Sequence, residues 1–177
     1  ELLSKAKEQL ETLKIDPAMK THTFSGDVGD FDKLKLALKD QATQFDVLVN
    51  CAGIAFPGEF TEMDPARFEE VMQINYMGTV YLTKLVVPGM VERRSGYVVN
   101  ISSLAALIGI YGYTAYAPSK YAVRGFSRCL RSELKAYGID VSVVFPSDTD
   151  TPQLAFEHSL IPDITKKINE TGGVMKP

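Results

Sequence analysis

Residues 46–53 read Asp-Val-Leu-Val-Asn-Cys-Ala-Gly. An apolar run this short, stopped by Asn50-Cys51-Ala52-Gly53, predicts a buried strand running into a turn. The pattern recurs downstream. Gly96 precedes Tyr97–Ile101 (YVVNI), and Asp140–Phe145 (DVSVVF) is ended by Pro146. Upstream, His22–Phe24 predicts a further short strand, closed by Ser25-Gly26-Asp27. Between these runs the apolar residues recur at three- and four-residue spacing, which predicts helices. Phe31–Ala42 carries Phe31, Leu34, Leu38 and Ala42, and a helix opened by Pro65 carries Phe68, Val71, Met72, Leu82, Leu85 and Val86. A third helix runs through Tyr121–Tyr137 to a stop at Gly138. At the start, Glu1–Leu13 sets Leu2, Leu3, Ala6, Leu10 and Leu13 on one helical face, ended by Pro17. Strands alternating with helices predict βαβ units, hence an α/β fold whose parallel sheet has helices on both faces. No repeat, linker or low-complexity tract interrupts it, so residues 1–177 read as a single domain.

Composition narrows the classes. With 45% apolar and 23% charged residues, the 177-residue chain is neither a disordered tail nor a collagen-like fibre, and it can bury one core. A net charge of −3 with no basic stripe argues against nucleic acid. Cys51 and Cys129 lie far apart and suit a reducing compartment better than a disulfide framework. No signal peptide and no apolar run of about eighteen residues is present, which predicts a soluble, intracellular α/β chain. His22 and His158 have no acidic or Cys partner at metal spacing, so no metal is assigned.

Ligands of such sheets bind beyond the carboxyl ends of the strands, and Asp27, Asn50, Ser103 and Pro146 all follow apolar runs. Of eight tyrosines, only Tyr116 has a lysine four residues later, Lys120. On a helix that spacing puts both side chains on one face. A cation near a phenol lowers its pKa from about 10 and equips it to exchange a proton with a carbonyl or alcohol oxygen. The bland alternative is a packed Tyr beside a solvated Lys. Ser102-Ser103 precede Tyr116 by a loop short enough to fold a hydroxyl back beside the phenol, where it can steady charge on a substrate oxygen. A turn or cap role is the ordinary reading of such a pair. Asn75 sits in the apolar helical stretch Val71–Gly78, as a satisfied core amide or as a water bridge to Lys120, and the two readings are compatible.

Taken in order, Asn50-Cys51-Ala52-Gly53, Asn75, Ser103, Tyr116-Ala117-Pro118-Ser119-Lys120 and Pro146 resemble the short-chain dehydrogenase/reductases. Cys51 stands where that family's N-N-A-G turn has its second Asn, and the S-then-Y-x-x-x-K signature is intact. Within the family, Phe145–Pro152 (FPSDTDTP), Glu92–Gly96 (ERRSG) and the Tyr116–Lys120 stretch look like the reductases of 3-ketodihydrosphingosine. The resemblance implies a Rossmann-like doubly wound parallel sheet and an NADPH-dependent oxidoreductase acting on a long-chain keto-sphingoid substrate. In it, Tyr116 is the general acid and Ser103 polarises the carbonyl. Lys120 lowers the phenol's pKa and holds the nicotinamide ribose, and Asn75 anchors a relay water. Asp27 and Val28 approach the adenine. Asn50, Ala52 and Gly53 border the adenosine ribose, while Pro146 with Thr149 or Thr151 flanks the nicotinamide. Pro118 is tolerable only in a first helical turn, so the helix is expected to begin near Tyr116.

The resemblance also implies a homodimer or homotetramer built on the helices Pro65–Glu92 and Tyr116–Tyr137. It implies a place at the cytosolic face of the endoplasmic reticulum membrane, with membrane contact through segments outside these residues. Alternatives are a hydroxysteroid or retinoid dehydrogenase, a 3-oxoacyl reductase, or a non-catalytic dinucleotide-binding scaffold. No G-x-x-x-G-x-G turn occurs, so by the family's order the first βαβ unit is not among these residues. In the strand order 3-2-1-4-5 this leaves His22–Phe24 without a neighbour and the next strand with an exposed apolar edge. The chain alone is then expected not to fold as a stable monomer. The missing unit also carries the groups that choose between NADPH and NADH. The apolar loop Leu104–Tyr113 and the segment Leu154–Ile161 are expected to border a substrate cleft, and residues 151–177 to be poorly ordered.

Overall fold

The computed structural model describes residues 2–16, 18 and 20–169. Three strands, β1 (Val47–Asn50), β2 (Gly96–Ile101) and β3 (Ile139–Val144), form one parallel sheet in the order β1-β2-β3. Its register sets Asn50 beside Asn100 and Asn100 beside Val143. The helices in chain order are α1 (Leu2–Thr12), α2 (Phe31–Leu38), α3 (Pro65–Met72), α4 (Gly78–Arg93), α5 (Tyr116–Leu134), α6 (Pro152–Leu160) and α7 (Asp163–Asn169).

The pleat decides where the core sits. Val98 of β2 and Ile139 and Val141 of β3 point to one face, where Val86 and Met90 of α4 and Leu134 of α5 close over them. Burying side chains of this size is worth roughly 1.5–3 kcal/mol each. The opposite face carries Val47, Val49, Tyr97 and Val144, all exposed. Strand β1 is the sheet edge, as the resemblance implies, and Val47 and Val49 are 57% and 54% exposed there.

Local signals act where the sequence places them. Asp64 caps α3 by accepting from the Ala66 N–H, with Pro65 in the first turn. Gly138 follows α5 and its 3-10 extension Lys135–Tyr137 at φ +70, the left-handed stop that glycine adopts freely.

Two expectations are corrected. His22–Phe24 is irregular, because a strand needs a neighbour's hydrogen-bond ladder and none is paired with it among the described residues. Phe31–Ala42 is helical only to Leu38. Lys39 at φ +46 breaks the run, and Lys39–Gln44 continues as a 3-10 turn. The periodicity of the N-terminal stretch does give a helix, but α1 buries none of its residues. The segment expected to be poorly ordered contains α6 and α7, and residues 170–177 lie outside the described residues.

Candidate active site

At the exit of β2 the chain delivers Ser102 and Ser103. Ser103 has extended backbone and caps a short 3-10 turn, Leu104–Ala106, its Oγ accepting from the Ala105 N–H at 3.1 Å. Helix α5 then begins at Tyr116, with Ala117 N–H donating back to the Tyr113 carbonyl at 2.8 Å. Pro118 therefore falls in the first turn, where its missing N–H has no intrahelical partner to lose.

Lys120 comes one turn later. Its Nζ lies 5.6 Å from the centre of the Tyr116 ring and donates to the Ile101 carbonyl at 3.1 Å. Ser102 Oγ donates to the Lys120 carbonyl at 3.0 Å, so the helix backbone is clamped to the end of β2. The Ser103 hydroxyl lies near enough to the Tyr116 phenol to pull its pKa down. Three residues chosen on sequence thus converge on one cleft of about 550 Å³.

Asn75 lies outside the cleft lining, behind Gly53, in a π turn, Gln73–Met77, between α3 and α4. Such a turn re-aims a side chain that a regular helix would carry elsewhere. Asn75 is 1% exposed. Its Nδ2 donates to the Ile54 carbonyl and to Ser119 Oγ, both at 2.9 Å, and its Oδ1 accepts from the Ile54 N–H at 2.8 Å. It is the satisfied core amide of the two sequence readings. Gly53 packs beside it, and a Cβ there would come within 3.3 Å of both Asn75 Oδ1 and Lys120 Nζ.

The strand exits supply the remaining wall. Pro146, Thr149 and Thr151 line the cleft with Gly53 and Cys51. The Pro146 carbonyl accepts from the Leu104 N–H at 3.0 Å, tying the end of β3 to the Ser103 turn. Thr149 donates to the Ser147 carbonyl, and Thr151 caps α6. The apolar residues Leu104, Ile108, Ile110 and Leu154 also border the cleft, as their sequence suggested.

Other assigned residues lie elsewhere. Asn50, expected beside a ribose, is inside the core, because its Nδ2 bonds Asn100 Oδ1 at 2.8 Å and Thr83 Oγ1 at 3.1 Å. Its Oδ1 is buried with no hydrogen-bond partner among the described residues. Ala52 is exposed and outside the cleft lining. Asp27 accepts from the Gly29 N–H at 2.9 Å, and Val28 packs against Gly78 at the start of α4. Neither is part of the lining.

Electrostatics differs from the expectation. Burial, reinforced by the charges of Glu157 and Asp148, pushes the Tyr116 phenol up to about 12, while the Ser103 hydroxyl pulls the other way. Burial also lowers the Lys120 pKa. Removal of the phenol from water sets its pKa, and Lys120 is not among the groups that shift it. At neutral pH the phenol holds its proton, as a proton donor must.

Three contributors escaped the sequence reading. Ser119 donates to the Tyr116 carbonyl at 2.6 Å and accepts from Asn75, joining the catalytic-helix start to the π turn. Asn100 carries the Asn50 network on to Ser127 at 2.7 Å. Glu157 enters the cleft from α6. Its signal was a lone acid between Phe156 and the apolar pair Leu160-Ile161.

The sequence profile described as short chain dehydrogenase matches residues 1–159. The chain belongs to the short-chain dehydrogenase family. It is 41% identical over 179 aligned residues to a 3-dehydrosphinganine reductase of Danio rerio, covering 99% of this chain and 54% of that protein. This member spans about half the length of the curated relatives it matches. A structure of a Brucella melitensis 3-oxoacyl-[acyl-carrier protein] reductase with bound NAD superimposes with TM-score 0.81 at 29% identity, over 99% of this chain and 66% of that one. ElxO with NADP bound matches at TM-score 0.69 and 26% identity, over 85% and 73%. The parallel sheet flanked by helices is thus the family's Rossmann-like fold.

Proposed function

We propose that this short-chain dehydrogenase reduces the keto group of 3-ketodihydrosphingosine with NADPH, in sphingolipid synthesis. The observation that carries the reading is the convergence of Tyr116, Ser103 and Lys120 on one cleft with an apolar wall. Relatives at about this identity are named 3-dehydrosphinganine or 3-ketodihydrosphingosine reductase, including one 43% identical over 165 residues in Dictyostelium discoideum.

The cleft fits a dinucleotide where Gly53 leaves room that a side chain would fill, beside an ammonium whose one hydrogen bond among the described residues goes to Ile101. When bound, the nicotinamide supplies hydride to the keto carbon. Tyr116, protonated at neutral pH, gives its proton to the keto oxygen. Ser103 donates a hydrogen bond to that oxygen as negative charge develops. Lys120 holds the ribose next to the nicotinamide, and Pro146 with Thr149 or Thr151 borders the ring. Asn75 fixes the Gly53 turn against Lys120 and anchors the relay water. Ala52, Asp27 and Val28, outside the cleft lining, serve the adenosine end.

A homodimer or homotetramer through α3, α4 and α5, and a place at the cytosolic face of the endoplasmic reticulum membrane, belong to the same proposal. No helix of the described residues is long and apolar enough to cross a membrane. The likeness to the Brucella reductase supports a second reading, reduction of 3-oxoacyl thioesters. Rates with 3-ketodihydrosphingosine and with a 3-oxoacyl thioester, each with NADPH and NADH, separate the two. A preference for the thioester refutes the first reading.

A further inference from the structure

Helix α6 turns one charged side chain inward. Glu157 is 9% exposed. Its Oε2 accepts from the Tyr113 hydroxyl at 3.2 Å, and its Oε1 accepts from Gln153 Nε2 at 2.9 Å. Both partners are neutral, and among the described residues no cation lies within ion-pair distance of the carboxylate. A carboxylate withdrawn from water without a counter-charge is costly, and a glutamine would keep one contact as an acceptor and meet the other by donating to a turned Gln153 amide, at less cost. Burial accordingly raises the Glu157 pKa, against the pull of Gln153, Tyr113 and His158. Packing alone gives no reason for an acid here.

Its position supplies one. Glu157 lines the same cleft as Tyr116, Ser103 and Lys120, and its charge is felt by both the phenol and the ammonium. Tyr113 bridges the two parts of the site, hydrogen-bonded to Glu157 and edge-on to Tyr116 with ring centres 5.9 Å apart. Asp148 lines the cleft as well, so two carboxylates face one ammonium across it. Such a lining favours a ligand that brings a positive charge close to the reacting oxygen.

We propose that Glu157, held by Tyr113 and Gln153, receives the ammonium group on the carbon next to the substrate's ketone. The assignment rests on the reading of the protein as a keto-sphingoid reductase, whose substrate is a long-chain 2-amino ketone. A 3-oxoacyl thioester has no such group. Buried together, the ammonium and the carboxylate supply each other's counter-charge, and the pair fixes which end of the chain meets Tyr116. The apolar wall is left for the aliphatic tail.

The test compares a soluble 2-amino ketone with the ketone lacking its amino group, in the full-length protein with NADPH. Glu157→Gln is expected to lower kcat/KM for the amino ketone about 10- to 100-fold, mainly through KM, and to lower it about 10-fold less for the plain ketone. An equal loss on both ketones means a structural role and overturns the assignment, as does no loss on either. Calorimetry on the unaltered protein guards against a variant that does not fold. There, N-acetylating a 2-amino alcohol of the product type should weaken its binding at least about 10-fold, and equal binding overturns the proposal. Turnover of a 3-oxoacyl thioester but of neither ketone sinks the substrate reading alone. The calorimetry then decides Glu157 by the same criterion.

Discussion

Replacing Asn75 with Ala removes three hydrogen bonds that tie the loop after β1 and the start of α5 to the π turn. The Ile54 N–H and carbonyl lose their partner, and Ser119 loses the donor it accepts from. The residue is 1% exposed, so water does not replace the amide without rearrangement. At about 1 kcal/mol for each broken bond and a similar cost for the void, the loss comes to about 3–4 kcal/mol. That is a large fraction of the roughly 5–15 kcal/mol that a domain possesses. Activity should fall as well, because Gly53 packs on Asn75 and Lys120 together and the turn loses its support. The assay is urea denaturation of the full-length protein, with hydrogen exchange at the Ile54 amide. A shifted midpoint at unchanged slope, with faster exchange at Ile54, is expected. Asn75→Asp should be no milder, since it sets a carboxylate oxygen against the Ile54 carbonyl. A loss below about 1 kcal/mol with Ile54 protection intact would refute the reasoning.

Gly89→Ala should destabilise the protein by about 1–3 kcal/mol or more, because α4 packs there against backbone. A Cβ would fall inside the contact shell of the Thr43 carbonyl oxygen and 2.7 Å from its carbon. A thermal melt unchanged by the substitution would contradict this. The pH dependence follows from a phenol raised to about 12. Ketone reduction needs the protonated phenol, so this group should leave its rate flat from about pH 7 to 9. Oxidation of the alcohol needs the phenolate and should climb about tenfold per pH unit over that range. Steady-state profiles in both directions check it, and a reduction rate falling with an apparent pKa near 7 would contradict it.

What could be read from the sequence depended on how local the cause was. Gly138, Pro65 and Pro118 act through their own backbone, and each marks the boundary it was expected to mark. The Tyr116–Lys120 spacing needs only one helical turn, and Ser103 needs only the strand end that precedes it. His22–Phe24 failed because a strand is made by its neighbour, which local pattern does not carry. The π turn that aims Asn75 has no composition signature, and the amide's partners, Ile54 and Ser119, are 21 and 44 residues away. Asn50 was placed at the cofactor by analogy, whereas the parallel register puts it against Asn100. The raised phenol pKa escaped for a similar reason. Lys120 is near in sequence, but the burial and the Glu157 and Asp148 charges that raise the phenol come from residues brought in by the fold.

The central claim is that the Tyr116 hydroxyl delivers the proton to the ketone. Single-turnover reduction by Tyr116→Phe, measured alongside a thermal melt and NADPH binding, tests it most directly. A rate reduced about 10²- to 10⁴-fold, with melting and cofactor affinity preserved, is the predicted result. A rate within about threefold of the unaltered protein would contradict it.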